Sequence, residues 1–137
     1  MEKVKIKSLG YLDLILLPEC RALLSEWSGG ALNRDIKAGL EMALAEYKKC
    51  EPGTQWIGDT THIGIIGDED QAWINNDWVP RFMATGVKYM AVIQPASIIA
   101  KLNVKNILQT YEGTNLTVFN CGTLEEAAGW MKTVNKE

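Results

Sequence analysis

The chain is poor in the residues that metal and redox sites use. It has one histidine, and its three cysteines, Cys20, Cys50 and Cys121, are odd in number and far apart. No Cys-x-x-Cys pair occurs, so neither a zinc ribbon nor a thioredoxin-type motif is present. The sequence therefore predicts three free, buried or half-buried thiols, and it gives no motif for a resident metal or cofactor.

Two further absences exclude classes of partner. No apolar run approaches the roughly 18 residues that a membrane span needs, so no span is expected. The 137 residues include 14 basic and 17 acidic ones, for a net charge of −3. The lysines are scattered and form no basic stripe, which argues against nucleic-acid binding. The charged, alternating start is unlike a signal peptide, and we expect a cytoplasmic protein.

What is present predicts one α/β domain over residues 1–137, with a single sizeable core. Alternating apolar residues from Val4 to Leu17 and from Cys20 to Trp27 predict a β-hairpin. Strand and helix patterns then alternate, so the predicted order is β-β-α-β-α-β-α-β-α. This order predicts a mixed five-stranded sheet packed with four helices. Right-handed crossovers would make the last three strands parallel.

Capping signals predict where the helices begin. Asn33 is the predicted N-cap of the first helix, whose apolar stripe includes Leu32 and continues to about Lys49. A helical stretch begins at Ser97, and Asn103 is a candidate to recap it. Thr123, followed three residues later by Glu126, forms a capping box for the last helix.

The stretch Gln55 to Phe82 is the most informative part of the chain. It holds three of the five tryptophans and the only histidine. A short buried strand leads into a loop between Gly64 and Gly67, which we expect to fold tightly or to move like a flap. The helix that follows carries an apolar stripe with Trp78 at its centre. Pro80 leaves two alternatives, a new helix capped by Asp77 or one kinked helix.

Candidate binding residues lie at the end of the central strand and on the helix after it. Asp59 and Thr60 are placed where α/β sheets bind ligands, at the carboxyl ends of strands, although a turn aspartate also bonds to its own loop. Asp68 is the predicted N-cap of the next helix. Asp68, its acidic neighbours and Asp59 also suggest a divalent-cation site, but no calcium-loop spacing is present.

Aromatic residues suggest a second kind of site. Trp73, Trp78 and Met83 are candidates to line an apolar pocket, and the alternative is that they are ordinary core residues. A catalytic alternative uses His62 as a base oriented by Asp59, with Cys20 or Cys121 as nucleophile. No nucleophile motif such as Gly-x-Ser-x-Gly supports that alternative.

Several motifs resemble the bacterial SpoIIAA-like group, which is related to STAS domains and, by fold, to the lipid-exchanging CRAL-TRIO domains. The similarity covers roughly Tyr11 to Met131. The matching segments are Gly58-Asp59-Thr60, Gly64-Ile65-Ile66, Glu69-Asp70-Gln71, Trp73, Trp78-Val79-Pro80-Arg81, Gly86-Val87-Lys88, the run from Leu102 to Ile107, and the run from Leu124 to Met131.

The resemblance implies a mixed sheet with helices on its faces, small conformational changes and often a homodimer. STAS regulators can be phosphorylated on a hydroxyl residue near the start of the helix after the third strand. Gly67 and Asp68 stand there in this chain, and Thr60 and Thr61 are the nearest hydroxyl residues.

The sequence therefore predicts a non-enzymatic, STAS-like regulatory or binding module for a partner protein or a small apolar, lipid-like ligand. The alternatives are a small hydrolase or transferase that uses Asp59 and His62, or a homodimer with a purely structural role. Such a dimer would use the hairpin edge or the tryptophan-bearing helix. The predicted ligand- or partner-binding residues are Asp59, Thr60, His62, Asp68, Trp73, Trp78 and Arg81.

Overall fold

A six-stranded mixed sheet forms the centre of the computed structural model, which describes residues 1–29 and 33–136. The strands lie side by side in chain order. The first three form an antiparallel meander, and the third to the sixth are parallel. The strands are β1 (Val4–Ser8), β2 (Leu12–Leu17), β3 (Ala22–Trp27), β4 (Gln55–Asp59), β5 (Tyr89–Ile93) and β6 (Thr117–Cys121).

Helices cover both faces of the sheet. Each parallel connection steps one strand further in the same direction, and crossovers of one hand then place their helices on the same face. The larger apolar core contains residues of α1 to α4, whereas the core on the opposite face contains residues of α5. The helices are α1 (Asn33–Lys48), α2 (Asp68–Trp73), α3 (Val79–Met83), α4 (Ile98–Leu108) and α5 (Leu124–Val134).

The sheet has one strand more than the sequence predicted. The segment from Val4 to Leu17, predicted as one strand, folds into β1 and β2 with a turn between them. Gly10 lies in this turn with φ of +87°, a conformation that glycine adopts without steric cost. The Leu9 N–H donates to the Leu12 carbonyl at 2.9 Å and closes the turn. The prediction of five strands was wrong because this glycine was not interpreted as a turn.

The helix after β4 is continuous, and it absorbs Pro80 through a π-helical turn. α2 runs into the π turn Ile74–Trp78 and then into α3, so the two α segments and the turn form one helical body. Proline provides no N–H and collides with the carbonyl four residues earlier, and a π turn relieves both effects. Asp77 does not cap a new helix, because its carboxylate accepts a hydrogen bond from Arg81 Nε at 3.0 Å.

The predicted caps had mixed outcomes. Thr123 caps α5 by accepting a hydrogen bond from the Glu126 N–H at 3.2 Å, which confirms the capping box. The prediction of Asp68 as an N-cap was wrong by one position, since Gly67 is the cap residue and makes no side-chain bond. α4 is uninterrupted from its Ser97 cap, so Asn103 does not recap it.

Two features predicted for the start of α1 lie outside the described residues. The helix begins at Asn33, but the predicted Asn33 cap depends on a side chain outside the described residues. Leu32 also lies outside them. Among residues 1–29 and 33–136, no helix combines the length and the apolar character needed to cross a membrane.

Candidate functional site

An apolar cavity of about 100 Å³ lies between the sheet and the helices of the larger core. Strands β3 to β5 form its floor, α1, the π turn and α4 form its walls, and the loop from residue 60 to 67 closes one end. The cavity is therefore at the carboxyl ends of parallel strands, where open α/β sheets bind their ligands. Its lining includes Ser25, Trp27, Ile36, Leu40, Trp56, Gly58, Thr60, Ile63, Ile66, Ile74, Trp78, Met90, Val92, Val104, Ile107, Leu108 and Tyr111.

Gly58 leaves this space open. In the parallel ladder it pairs with Ser25 on β3 and with Val92 on β5, and all three residues line the cavity. A Cβ on Gly58 would lie 3.5 Å from Trp56 Nε1 and 3.8 Å from Ser25 Oγ, which are ordinary contact distances. A glycine within a strand often marks a place where a ligand approaches the backbone.

Two polar atoms face the apolar space beside Gly58. They are the Ser25 hydroxyl and the Trp56 indole nitrogen, and both residues are buried, with exposed fractions of 2% and 4%. Two further polar groups of the lining are already hydrogen-bonded within the protein. Trp78 Nε1 donates to the Leu40 carbonyl at 2.9 Å, and the Thr60 hydroxyl donates to the Ile93 carbonyl at 2.6 Å. A bound molecule whose polar atom lies beside Gly58 would therefore meet the Ser25 hydroxyl and the Trp56 N–H.

The segment of residues 60 to 67, here called the cover loop, covers one end of the cavity with Ile63 and Ile66, which are both buried. Asn103 in α4 holds it from one side, since its Oδ1 accepts a hydrogen bond from the Ile66 N–H at 3.0 Å. Gln71 in α2 holds it from the other side by donating to the Ile66 carbonyl at 2.7 Å. Backbone bonds hold the other end of the loop, where the Ile63 N–H donates to the Thr60 carbonyl and the Ala96 N–H donates to the Thr61 carbonyl, both at 3.1 Å.

Two of the predicted binding residues, Thr60 and Trp78, line the cavity. Asp59 lies beside it and bonds to its own loop, accepting from the Thr61 N–H at 3.0 Å and the Thr61 hydroxyl at 2.6 Å. Asp59 therefore acts as a turn aspartate, whose carboxylate accepts hydrogen bonds from its own loop. His62 is exposed. Among the described residues, no hydrogen bond joins Asp59 to His62.

The other predicted residues lie on the outside of the helices. Asp68 is exposed at the start of α2. Trp73 is half-buried, and the Lys37 ammonium lies 5.6 Å from its ring centroid. Arg81 forms salt bridges with Glu41 of α1 and with Asp77, so it joins two helices. Met83, a predicted pocket residue, is half-buried and lies away from the lining of this cavity.

Sequence reasoning missed the floor of the cavity. Ser25 and Gly58 are 33 positions apart in the chain, and only the register of β3 against β4 brings them together. The signal that was available was Gly58 itself, a glycine within a predicted buried strand.

The cysteines are poorly placed for nucleophilic chemistry. Burial raises the pKa of the thiols of Cys20, Cys50 and Cys121, and the charges of Glu126 and Asp59 raise that of Cys121 further. The thiolate is the reactive form, so these shifts reduce reactivity near neutral pH. Within the described part of the chain, no three His, Cys, Asp or Glu side chains are grouped so that they could hold a metal ion.

We expect the native thiols to react slowly with a thiol reagent such as Ellman's reagent at pH 8. Each unit by which the pKa is raised lowers the thiolate fraction about tenfold, and burial limits access as well. Cys20 and Cys121, both buried, should be slower than the half-buried Cys50. The measurement compares the time course of labelling in buffer and in urea. A native thiol that reacts faster than the unfolded chain would contradict this expectation and indicate an activated cysteine.

Comparison of the chain with protein-family models, with curated proteins and with solved structures gave no significant match.

Proposed function

We propose that the protein is a non-enzymatic module that binds a small, mainly apolar molecule in the cavity beneath the cover loop. The observation that carries the proposal is the cavity itself, an apolar space above Gly58 with the Ser25 hydroxyl and the Trp56 N–H at its floor. Its volume of about 100 Å³ is of the order of the ~150 Å³ engineered apolar cavity that binds benzene.

The walls define the class of ligand. Among the described residues, the lining contains no Lys, Arg, Asp or Glu. A charged ligand would therefore lose its hydration without gaining a counter-ion from them, and such burial is costly. A long acyl chain exceeds the volume. The best fit is a compact aromatic or branched aliphatic molecule with one hydrogen-bonding atom, for which phenol is a model.

The resemblance to the SpoIIAA-like group belongs to the same proposal. A mixed sheet with helices on its faces is what that resemblance implies. The cover loop contains one of the matching segments, Gly64 to Ile66, and Thr60, the last residue of another. A molecule bound under this loop would contact Ile63 and Ile66 and displace them. The displacement would change the conformation of the exposed part of the loop. We therefore propose a regulatory module whose ligand alters the surface seen by a partner protein.

The first test is titration of the protein with benzene, phenol, indole and isobutanol. Trp27, Trp56 and Trp78 line the cavity, so a bound molecule should change tryptophan emission. Binding to the native state alone should also raise the melting temperature, since a ligand at a hundred times its Kd stabilises by about 2.7 kcal/mol. If no compound at millimolar concentration changes either signal, the proposal is wrong.

A cavity-filling variant tests the location of binding. Gly58→Val places two methyl groups in the space and should weaken binding of the best probe at least tenfold. The variant should still fold, because the Cβ position has only ordinary contacts and β-branched residues suit strands. Gly129→Val is the matched control, since a Cβ there meets nothing within 4 Å. Unchanged affinity in Gly58→Val would place the ligand elsewhere and contradict the proposed site.

A further inference from the structure

The outer surface of α4 is apolar where a surface helix normally carries polar side chains. Ile98, Ile99 and Leu102 are exposed by 79%, 54% and 56%, and Ile65 of the cover loop is exposed by 62%. The inner surface of the same helix is apolar as well, because Val104, Ile107 and Leu108 line the cavity. Burial in the core of this domain therefore explains why the inner side of α4 is apolar, but it does not explain why the outer side is apolar. Ile65, Ile98, Ile99 and Leu102 are called the α4 patch below.

The four side chains of the α4 patch form one continuous surface. Ile98 and Leu102 are four positions apart and are neighbours on the helix. Ile99 is one turn before Asn103, and the bond from the Ile66 N–H to Asn103 places Ile65 beside that turn. Four large aliphatic side chains, each at least half exposed, make a patch of roughly 300–600 Å², the size of the largest apolar patch on a typical monomer, which is often functional.

Charges of opposite sign flank the patch. Lys101 and Lys105 lie on the side of α4 that borders the edge strand β6, where they line a cleft with Glu112, so this flank carries a net positive charge. Asp68 and Glu69 are exposed on the other flank, at the start of α2 directly after the cover loop. The surface thus runs from positive through apolar to negative.

We propose that the α4 patch is the interface of a homodimer. A two-fold axis parallel to α4 brings the α4 patches of the two copies into contact. The same axis places the flank with Lys101 and Lys105 in each copy opposite the flank with Asp68 and Glu69 in the other copy. An isologous interface requires this kind of self-complementarity, and opposite charges across the rim set the register. The patch with its charged rim approaches the ~800 Å² that a standard interface buries on each partner. An anionic membrane fits less well, because it would meet Asp68 and Glu69.

Sedimentation velocity of the full chain tests the interface. We expect a concentration-dependent dimer for the wild type in the micromolar range. The double variant Ile98→Glu/Leu102→Glu should be monomeric, with dimerisation weakened at least a hundredfold. Both positions are exposed, so the urea midpoint should stay close to that of the wild type at protein concentrations where both are monomeric. Val4→Glu is the matched control, because Val4 is 41% exposed on β1 at the opposite edge of the sheet, and it should remain dimeric.

A charge exchange tests the orientation. Lys101→Glu/Lys105→Glu and Asp68→Lys/Glu69→Lys should each weaken self-association, and their mixture should restore a heterodimer. Failure of the mixture to associate would overturn the proposed axis. A wild type that is monomeric at high micromolar concentration would overturn the dimer, as would a dimer that survives Ile98→Glu/Leu102→Glu. Monomeric wild type that sediments with phosphatidylglycerol vesicles would assign the patch to membranes instead.

Discussion

Replacement of Phe82 by alanine is expected to lower the free energy of unfolding by about 3–5 kcal/mol, the usual cost of removing a buried phenylalanine ring. Phe82 is fully buried, and its ring centroid lies within 4.8–6.4 Å of the rings of Tyr47, Trp56, Trp78 and Tyr111. These five rings hold α1, the π turn, α3 and the sheet together. Their contacts cannot re-form around an alanine, so a cavity would remain. Urea denaturation followed by far-UV circular dichroism measures the loss.

Phe119→Ala is the matched control for Phe82→Ala. Phe119 lies on the edge strand β6, is half-buried and stacks on Trp130 at 5.0 Å on the opposite face of the sheet. Water can partly occupy the space that its ring leaves, so the expected loss is about 1–2 kcal/mol, near the average for point substitutions. Equal losses in the two variants would show that the five-ring cluster is not the principal source of stability.

Gln55→Leu is expected to cost about 3 kcal/mol, because it leaves two backbone donors without an acceptor at a site that water reaches poorly. Gln55 is 5% exposed. Its Oε1 accepts hydrogen bonds from the N–H groups of Lys88 and Tyr89 at 2.8 and 3.0 Å, and its Nε2 donates to the Gly53 carbonyl at 3.2 Å. One amide therefore fixes the start of β5 against the turn before β4. Leucine preserves the volume, so the loss measures the hydrogen bonds.

The same substitution at Gln94 is the control for Gln55→Leu. The Gln94 side chain donates to Asn120 Oδ1 at 2.7 Å in an exposed pair, and water can replace that bond. We expect a change of about 0.5 kcal/mol or less, as for surface substitutions in general. Hydrogen exchange at the Tyr89 amide should also accelerate in Gln55→Leu and stay unchanged in Gln94→Leu. A Gln55→Leu protein as stable as the wild type would show that the amide has no structural role.

The elements that the sequence predicted well are those with strong local signals. The continuous apolar run after Lys88 is β5, buried against both layers, and Thr123 with Glu126 does open α5. Both signals depend on neighbouring residues alone. Local information did not decide whether a new helix begins near Pro80 or one helix continues through it. That choice depends on the packing of Trp78 and Phe82 against the sheet.

The candidate site was predicted only in part for a related reason. The end of β4, Thr60 and Trp78 were identified from their positions along the chain. Ser25 was not, because nothing in the sequence near Ser25 shows that it pairs with Gly58. The π turn is another feature that local patterns did not show. Trp78 at its end is buried and packs edge-on against Trp56 of β4, whereas Trp73 stays half-buried beside Lys37.

The sequence by itself determined the class of fold, the limits of most elements and the absence of a known metal or nucleophile motif, because periodicity, caps and breakers act over a few residues. Only the tertiary structure decided that there are six strands in one sheet, that an apolar cavity opens above Gly58 and that α4 is apolar on both sides. These features arise from strand register and from the packing of helices that are distant in the chain. They depend on which side chains come into contact across the core, and local sequence patterns do not contain that information.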